Sequence, residues 1–290
     1  MFKGSYVALI TPFRNGAVDY ARLEQLIDFH VREGTAGLSP CGTTGESATL
    51  TTEEHKEVIA FIVKHAAGRL PVMAGTGSNS TQEAIELTVA AAKAGADACL
   101  LISPYYNRPE PEGMFLHFKA IAEAARLPMV LYSIPSRTGR EIAMETVLRL
   151  ADEVKEVVGI KEAGGSLDRV SELCRQTRLD VMSGDDSLTL PMISVGATGV
   201  ISVLANIIPR DLAGIVSSAL AGDLAAARAA HFKMLPLVKA TFLESNPIGI
   251  KTAMRMLNLC TADLRLPLSP MRPENESKLR QALQNYGLLK

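Results

Sequence analysis

Residues 81–103, TQEAIELTVAAAKAGADACLLIS, contain the unit from which the fold of this chain can be worked out. The first part of the stretch repeats apolar residues at three- and four-residue spacing, which is the pattern of an amphipathic helix. Gly95 then supplies the residue type favoured in a left-handed helix cap. Residues 98–103 form a short apolar run that is typical of a buried strand. The stretch therefore predicts a helix, a tight turn and a strand in succession.

The same alternation of short apolar runs and helical patterns recurs along the chain. Glycine stands at two further helix-to-strand junctions, in residues 33–37 and 195–199. Helical spacing is clear in residues 19–33, 51–66, 81–94 and 114–125. The predicted strands are residues 6–10, 37–41, 72–75, 98–103, 129–132, 157–161, 181–184 and 199–203. Eight alternations of this kind predict an α/β fold, a closed (β/α)8 TIM barrel rather than an open sheet of five or six strands.

The pattern changes after residue 223, where strands are no longer predicted. Residues 224–243, 247–259 and 273–288 each have helical spacing. We therefore expect a catalytic barrel over residues 1–223 and a C-terminal helical domain, a three-helix extension, over residues 224–290. Because no low-complexity linker separates the two parts, we expect the extension to pack against the barrel.

Composition limits the classes of function. The 290-residue chain has a formal net charge of −1 and no block of Lys or Arg, so a nucleic-acid partner is not expected and a small-molecule ligand is favoured. Residues 1–13 combine one early lysine with a short apolar run broken by Pro12, which predicts neither a signal peptide nor a membrane span. These features predict a cytoplasmic protein with no membrane partner.

Cysteine and histidine usage gives no sign of a metal site. No C-x-x-C pair occurs, and the histidines are dispersed over predicted helices, so we expect no metal. Buried thiols in a reducing compartment are expected instead. The residues concerned are Cys41, Cys99, Cys174 and Cys260, and His30, His55, His65, His117 and His231.

Lys161 is the most informative single residue, because it ends the apolar run at residues 157–160. Burial at the end of a strand lowers the pKa of a lysine toward the range in which a neutral amine attacks a carbonyl. Taken alone, a strand-end lysine that extends to water is the simpler interpretation. Its neighbours favour imine chemistry instead, since Tyr132 ends the adjacent predicted strand and a phenol can carry protons for such an amine.

Two loops at the same end of the barrel suit carboxylate binding. Thr43 and Thr44 lie in a glycine-rich segment, residues 42–45, whose N–H and O–H donors can surround an anion, although a tight turn that caps the next helix explains it equally well. Arg137 lies in a loop rich in Pro, Ser and Gly and can hold a carboxylate with two hydrogen bonds, whereas a surface arginine is the more common case. The spacings required for a nucleotide P-loop, a dinucleotide fold or a G-x-S-x-G nucleophile are missing.

Several segments taken together resemble the dihydrodipicolinate synthase family, also called 4-hydroxy-tetrahydrodipicolinate synthases, over residues 1–289. They are residues 42–47 (GTTGES), 104–107 (PYYN), 132 with 134–139 (IPSRTG), 159–163 (GIKEA), 183–186 (SGDD), 246–247 (NP) and 264–267 (LRLP). The resemblance implies a class I aldolase-type lyase in which Lys161 forms a Schiff base with pyruvate. The resulting enamine adds to L-aspartate 4-semialdehyde, and no cofactor or metal is required.

The resemblance also implies roles for individual residues. Tyr132 is the general acid and base, in a proton relay with Thr43 and with Tyr106 of a neighbouring subunit. Thr44 and the backbone at Ile201 hold the carboxylate of pyruvate, and Arg137 holds that of the second substrate. A homotetramer built as a dimer of dimers is expected, with a dimer as the alternative.

In family members that respond to L-lysine, an effector site lies at the dimer interface. The matching positions are Ser47, Ala48, His55, Asn79, Glu83 and Tyr105. Lysine inhibition is therefore a hypothesis, although Thr52 stands where some sensitive members carry histidine.

Two alternatives remain at this point. N-acetylneuraminate lyase and 2-keto-3-deoxy sugar acid aldolases use the same barrel and lysine, and Tyr106 and Arg137 favour the synthase over them. A non-catalytic keto-acid-binding protein is an alternative of another class, and the presence of Lys161, Tyr132, Thr43 and Arg137 argues against it.

Overall fold

A computed structural model describes residues 2–290 and contains a parallel barrel surrounded by helices. The predicted TIM barrel is confirmed, and each predicted barrel strand overlaps an observed one. The strands are β1 (Gly4–Ala8), β2 (Phe13–Arg14), β3 (Ala17–Val18), β4 (Gly37–Ser39), β5 (Met73–Gly75), β6 (Ala98–Ile102), β7 (Met129–Ser133), β8 (Val157–Glu162), β9 (Asp180–Ser183) and β10 (Gly199–Ser202). All except β2 and β3 belong to the barrel, and those two form a separate small hairpin.

Helices follow most of the barrel strands and enclose them. They are α1 (Tyr20–Glu33), α2 (Thr52–Ala66), α3 (Thr81–Ala94), α4 (Pro111–Ala125), α5 (Pro135–Thr138), α6 (Met144–Glu153), α7 (Leu167–Gln176), α8 (Thr189–Ser194), α9 (Pro209–Leu220), α10 (Leu224–Thr241), α11 (Ile248–Met256) and α12 (Pro273–Tyr286). No helix in residues 2–290 is both long enough and apolar enough to cross a bilayer.

The barrel is closed by pairing between strands that are distant in sequence. Strand β1 pairs in parallel with β10, where Gly4 faces Gly199, and with β4 on its other side. A parallel bridge between Leu38 of β4 and Val72, the residue before β5, completes the circle. The carboxyl ends of all eight strands therefore meet at one mouth of the barrel.

The helix boundaries follow the capping residues of the sequence. Thr51 accepts a hydrogen bond from the N–H of Glu54, whose side chain accepts from the Thr51 N–H, so a complete capping box begins α2. The side chain of Ser80 caps α3 in the same position. Gly95 ends α3 in the left-handed conformation, with φ of 91°, and the prediction of a glycine cap is confirmed there.

Gly75 shows why the closure between β4 and β5 needs a residue without a side chain. A Cβ atom at this position would overlap the carbonyl group of Cys41. The N–H of Gly75 donates to the Pro40 carbonyl at 2.9 Å, so the two backbones are in direct contact. The close approach brings the ends of β4 and β5 together at the mouth of the barrel.

The C-terminal part consists of α10, α11 and α12, which confirms the predicted three-helix extension. Helix α10 packs on α9 and α12 and also contacts the segment after β9, so the extension is attached to the barrel. Asp223 caps α10 by accepting from the N–H of Ala226 at 3.0 Å. The domain boundary at residue 223 stays a prediction.

Candidate active site

Lys161 is the penultimate residue of β8, next to the mouth of the barrel, and is buried, with 6% of its surface exposed. It is the register partner of Tyr132 on β7, and its Nζ lies 4.2 Å from the centre of the Tyr132 ring. Burial lowers the pKa of Lys161 to about 8, and the negative charges of Asp186 and Asp185 oppose this shift. The side chain does not extend to water, and the lowered pKa makes the neutral amine more abundant near neutral pH than it is for an ordinary lysine.

Tyr132 and Thr43 come together beside this amine. Burial raises the pKa of Tyr132 to about 12, while Arg137 and a hydrogen bond with Thr43 act in the opposite direction. The phenol therefore stays protonated at neutral pH, and the hydroxyl of Thr43 gives it a partner for proton exchange. Two members of the predicted relay are thus adjacent within one chain.

Tyr106, the third member of the predicted relay, does not reach the other two within the chain. It is 92% exposed and has a φ of 69°, in the left-handed region that is uncommon for a tyrosine. Neighbouring Tyr105 is 37% exposed and lines the cavity described below. A large, nearly fully exposed aromatic ring at the mouth of the barrel is available for contact with another molecule.

The segment after β4 is both a tight turn and part of the site. The N–H of Gly45 donates to the Gly42 carbonyl at 3.1 Å, and the N–H of Glu46 donates to the Thr43 carbonyl at 3.2 Å. The turn does not cap α2, because Thr51 performs that function. It buries Thr44 and leaves Thr43 half-buried at the surface of the cavity.

Two of the predicted carboxylate-binding residues share a contact in the C-terminal extension. Asn246 donates from Nδ2 to Oγ1 of Thr44 at 2.9 Å, and its carbonyl accepts from Nη2 of Arg137 at 3.3 Å. Arg137 is exposed on α5, just after β7. Ile201 is fully buried on β10, opposite Tyr6 of β1.

A cavity of about 460 Å³ opens at the mouth of the barrel. Thr43, Tyr132 and Arg137 line it, whereas Lys161, Thr44 and Ile201 are not among its lining residues. Most of the predicted effector positions line the same cavity, namely Ser47, Ala48, His55, Glu83 and Tyr105. Asn79 is outside the lining, and its carbonyl accepts from Nδ2 of Asn107 at 2.8 Å.

Two buried acidic residues have roles that sequence reasoning did not assign. Glu46 forms an ion pair with Lys251 of α11 in which neither side chain has exposed surface, and it also accepts from the N–H of Arg265 at 3.1 Å. Asp186 accepts from the hydroxyl of Ser202 and from the N–H of Val203 at 3.1 Å. The sequence shows an acidic residue in the GTTGES segment and another in the SGDD segment. Their partners lie in other segments of the chain, so local sequence patterns do not predict these contacts.

The comparisons with known proteins agree with one another. A family model described as "Dihydrodipicolinate synthetase family" matches residues 1–286. The chain belongs to the dihydrodipicolinate synthetase family.

No group of three His, Cys, Asp or Glu residues in the described part of the chain is arranged to hold a metal ion.

Family relatives are similar over their whole length. A protein of Geotalea uraniireducens named 4-hydroxy-tetrahydrodipicolinate synthase is 51% identical and covers 100% of both chains. The crystal structure of dihydrodipicolinate synthase from Aquifex aeolicus is 50% identical, covers 99% of each chain and has a TM-score of 0.98. A structure of the Cyanidioschyzon merolae enzyme described as having lysine bound is 40% identical, covers 99% of each chain and has a TM-score of 0.97.

Proposed function

We propose that this member of the dihydrodipicolinate synthetase family is a 4-hydroxy-tetrahydrodipicolinate synthase. It condenses pyruvate with L-aspartate 4-semialdehyde in the diaminopimelate route to lysine. The observation that carries the proposal is the buried Lys161, whose pKa is lowered to about 8, beside Tyr132 at the carboxyl ends of β8 and β7. The family membership and the names of the full-length relatives support the choice of substrates.

The first steps follow from the chemistry of a neutral lysine. The amine of Lys161 attacks the carbonyl carbon of pyruvate, and loss of water gives a protonated imine. Removal of a proton from the methyl carbon then gives an enamine, whose carbon attacks the aldehyde of the second substrate. The amino group of the bound product attacks the imine carbon, which closes the ring and releases the amine of Lys161. No metal or organic cofactor takes part.

Each step requires a proton carrier and a fixed carboxylate. Tyr132 gives and takes protons at the imine and the aldehyde, and Thr43 is its hydrogen-bond partner. Thr44 and the backbone at Ile201 bind the carboxylate of pyruvate, and Arg137 binds that of L-aspartate 4-semialdehyde. The guanidinium of Arg137 is exposed beside the cavity, where a dicarboxylic intermediate can reach it.

Tyr106 completes the relay from a neighbouring subunit in a homotetramer, with a dimer as the alternative. Its near-complete exposure at the mouth of the barrel supports a contact between chains rather than within one. A cytoplasmic location remains a prediction that rests on the sequence.

L-Lysine is the proposed effector, bound near Ser47, His55 and Glu83. These residues line the cavity, and the related structure with lysine bound supports a lysine site in this family. Glu83 is an exposed carboxylate that can pair with the amine of the effector. Activity that is unchanged across a titration with L-lysine would remove this part of the proposal.

Borohydride trapping tests the main proposal. Incubation with pyruvate and borohydride, followed by peptide mass mapping, should place a reduced adduct on the peptide that contains Lys161. Lys251 is an internal control, because it is also buried but is paired with Glu46. Lys161→Arg should abolish the adduct, since a guanidinium stays protonated. An adduct on another lysine, or none, contradicts the mechanism.

A second measurement decides the acceptor. Turnover of pyruvate with L-aspartate 4-semialdehyde is compared with cleavage of N-acetylneuraminate and of a 2-keto-3-deoxy sugar acid. We expect condensation with the semialdehyde to be the faster reaction. Faster cleavage of a sugar acid would replace the proposed substrate, and trapping without any turnover would indicate a keto-acid-binding protein.

A further inference from the structure

Asn246 lies between two side chains that the proposed function uses for different substrates. Its side-chain nitrogen donates to Oγ1 of Thr44, and its backbone carbonyl accepts from Arg137. Asn246 and Arg137 also line both the central cavity and an open groove beside it. A single residue of the C-terminal extension therefore contacts both proposed carboxylate-binding groups of the barrel.

The direction of the Asn246–Thr44 hydrogen bond decides what the threonine can do. A hydroxyl has one donor hydrogen and two acceptor lone pairs. Because Nδ2 of Asn246 donates to Oγ1 of Thr44, that oxygen uses a lone pair and its hydrogen stays available. Thr44 can then donate this hydrogen to an anionic ligand.

A buried ion pair joins the segment that carries Asn246 to the turn that carries Thr44. Lys251, one turn into α11, forms the fully buried ion pair with Glu46, two residues after Thr44. Lys251 also donates to the carbonyl of Asp263 at 2.9 Å. The turn that carries Thr44 and the segment that carries Asn246 are thus fixed relative to each other.

The oxygen of the Asn246 side-chain amide forms no hydrogen bond with the described residues, unlike its nitrogen. Its Oδ1 is buried and has no hydrogen-bond partner in the described part of the chain. Leaving a buried acceptor without a partner costs stability, by about 1–3 kcal/mol. Because an asparagine here lowers stability, its side-chain nitrogen, which donates to Thr44, is expected to have a function.

We propose that Asn246 is a positioning residue. Its side chain orients the Thr44 hydroxyl toward the carboxylate of the keto acid, and its backbone carbonyl holds Arg137 at a fixed distance from Thr44. The proposal rests on the proposed function, in which Thr44 and Arg137 bind the carboxylates of the two substrates. It makes the C-terminal extension part of the substrate-binding apparatus. Asn246 acts through the other two residues and does not itself contact the reacting atoms.

A double-mutant cycle tests the link to Thr44. The variants are Asn246→Ala, Thr44→Val and the two combined, and the measured quantity is the pyruvate concentration that gives half-maximal borohydride trapping. Asn246→Ala should raise this concentration about fivefold to tenfold, the effect of one lost hydrogen bond between uncharged groups. The combined variant should be no worse than Thr44→Val alone, because Asn246 acts through the hydroxyl that valine lacks. Fully additive effects would overturn the proposal.

An isosteric variant tests the direction of the hydrogen bond. The side chain in Asn246→Asp keeps its shape but can only accept, so the Thr44 hydroxyl must donate to it rather than to the ligand. We expect pyruvate binding at least as weak as in Asn246→Ala. Binding equal to that of the wild type would contradict the proposal, and this measurement also replaces the alanine variant should that one fail to fold.

A matched control separates positioning from general stability. Asn275 is a buried asparagine of the same extension whose Nδ2 donates to Glu244 at 2.8 Å, and neither of these two residues lines the central cavity. Asn275→Ala should lower stability and leave the trapping concentration unchanged. If the wild type forms no adduct at all, the proposed function fails. If it forms one and the cycle is additive, only the role of Asn246 fails.

Discussion

Two buried lysines in this chain have different local environments, and the difference explains their different chemistry. Burial lowers the pKa of both Lys161 and Lys251. Lys251 is in direct contact with the carboxylate of Glu46, which opposes this lowering of its pKa. Lys161 instead faces the ring of Tyr132. The charges of Asp185 and Asp186 raise its pKa, but within the described residues neither forms an ion pair with it. Of these two lysines, Lys161 is the one without a carboxylate in direct contact, so its amine reaches the neutral form that imine chemistry needs more readily.

The pH dependence of imine formation should follow the pKa of Lys161. Because the neutral amine is the nucleophile, the rate should rise with pH and reach half its plateau near pH 8. Asp186 raises the pKa of Lys161, so Asp186→Asn should move this midpoint to lower pH. The pKa of Asp186 is itself raised to about 6 by burial, so the carboxylate is ionised over the range that matters. Trapping rates measured from pH 6 to 10 check both statements.

Removal of an acidic charge far from the site is the control for the shift in midpoint expected of Asp186→Asn. Glu172 pairs with Arg175 on the exposed face of α7, so Glu172→Gln makes the same change in net charge away from the site. That variant should keep the wild-type midpoint. A midpoint in Asp186→Asn that stays in place or moves upward would contradict the assigned effect of Asp186.

At the scale of elements, sequence patterns predicted the strands and helices of the barrel but not the connections between distant segments. Strand β8 could be predicted from the apolar run at residues 157–160, which Lys161 ends. The hairpin of β2 and β3 was missed, since two-residue strands have no periodicity to detect. Lys251 lies in a helical pattern where lysine is usually solvated, and its partner is 205 residues away, so the ion pair left no local signal.

The link between the β4 turn and α11 should contribute strongly to stability. Removing one partner of a buried ion pair leaves an uncompensated charge, so Glu46→Gln should lower the free energy of unfolding by about 3–5 kcal/mol. Glu46→Gln combined with Lys251→Met should regain part of the loss, because no buried charge remains. Denaturant unfolding measures each difference.

An exposed pair on the same helix provides the comparison. Arg255 of α11 pairs with Glu276 of α12, and both side chains are partly exposed. Glu276→Gln should cost no more than about 1 kcal/mol. Equal losses in Glu46→Gln and Glu276→Gln would show that the buried pair does not hold the turn.

At the scale of the whole molecule, the single chain contains most of the proposed site but leaves Tyr106 outside it. The positions of Lys161, Tyr132 and Thr43 could be predicted because strand ends of a barrel meet at one mouth. The position of Tyr106 could be predicted only from the resemblance, because no pattern within one sequence describes a contact between two copies. Asn246 was predicted only as part of a motif, without a role.

Mixed oligomers should test whether Tyr106 acts across a subunit contact. Tyr106→Phe and Lys161→Arg should each have low activity alone. When the two variants are co-expressed, hybrid pairs contain sites that combine the intact Lys161 of one chain with the intact Tyr106 of the other, so activity should return. Steady-state rates of the purified mixture measure this.

The separately purified variants, mixed after assembly without exchange of subunits, are the control and should stay inactive. Failure of co-expressed hybrids to regain activity, with hybrid formation demonstrated by mass, would place Tyr106 in its own chain's site or outside catalysis.

The pairing of β1 with both β4 and β10 has a consequence for how the protein is made. The edge of β1 that faces β10 has no partner until the ribosome has added Gly199 and the residues that follow. Contacts of such long sequence separation form late, and an unpaired apolar edge invites association with other nascent chains. Synthesis of this protein therefore includes a prolonged vulnerable interval, in which chaperone binding to the first half of the polypeptide would favour productive closure over aggregation.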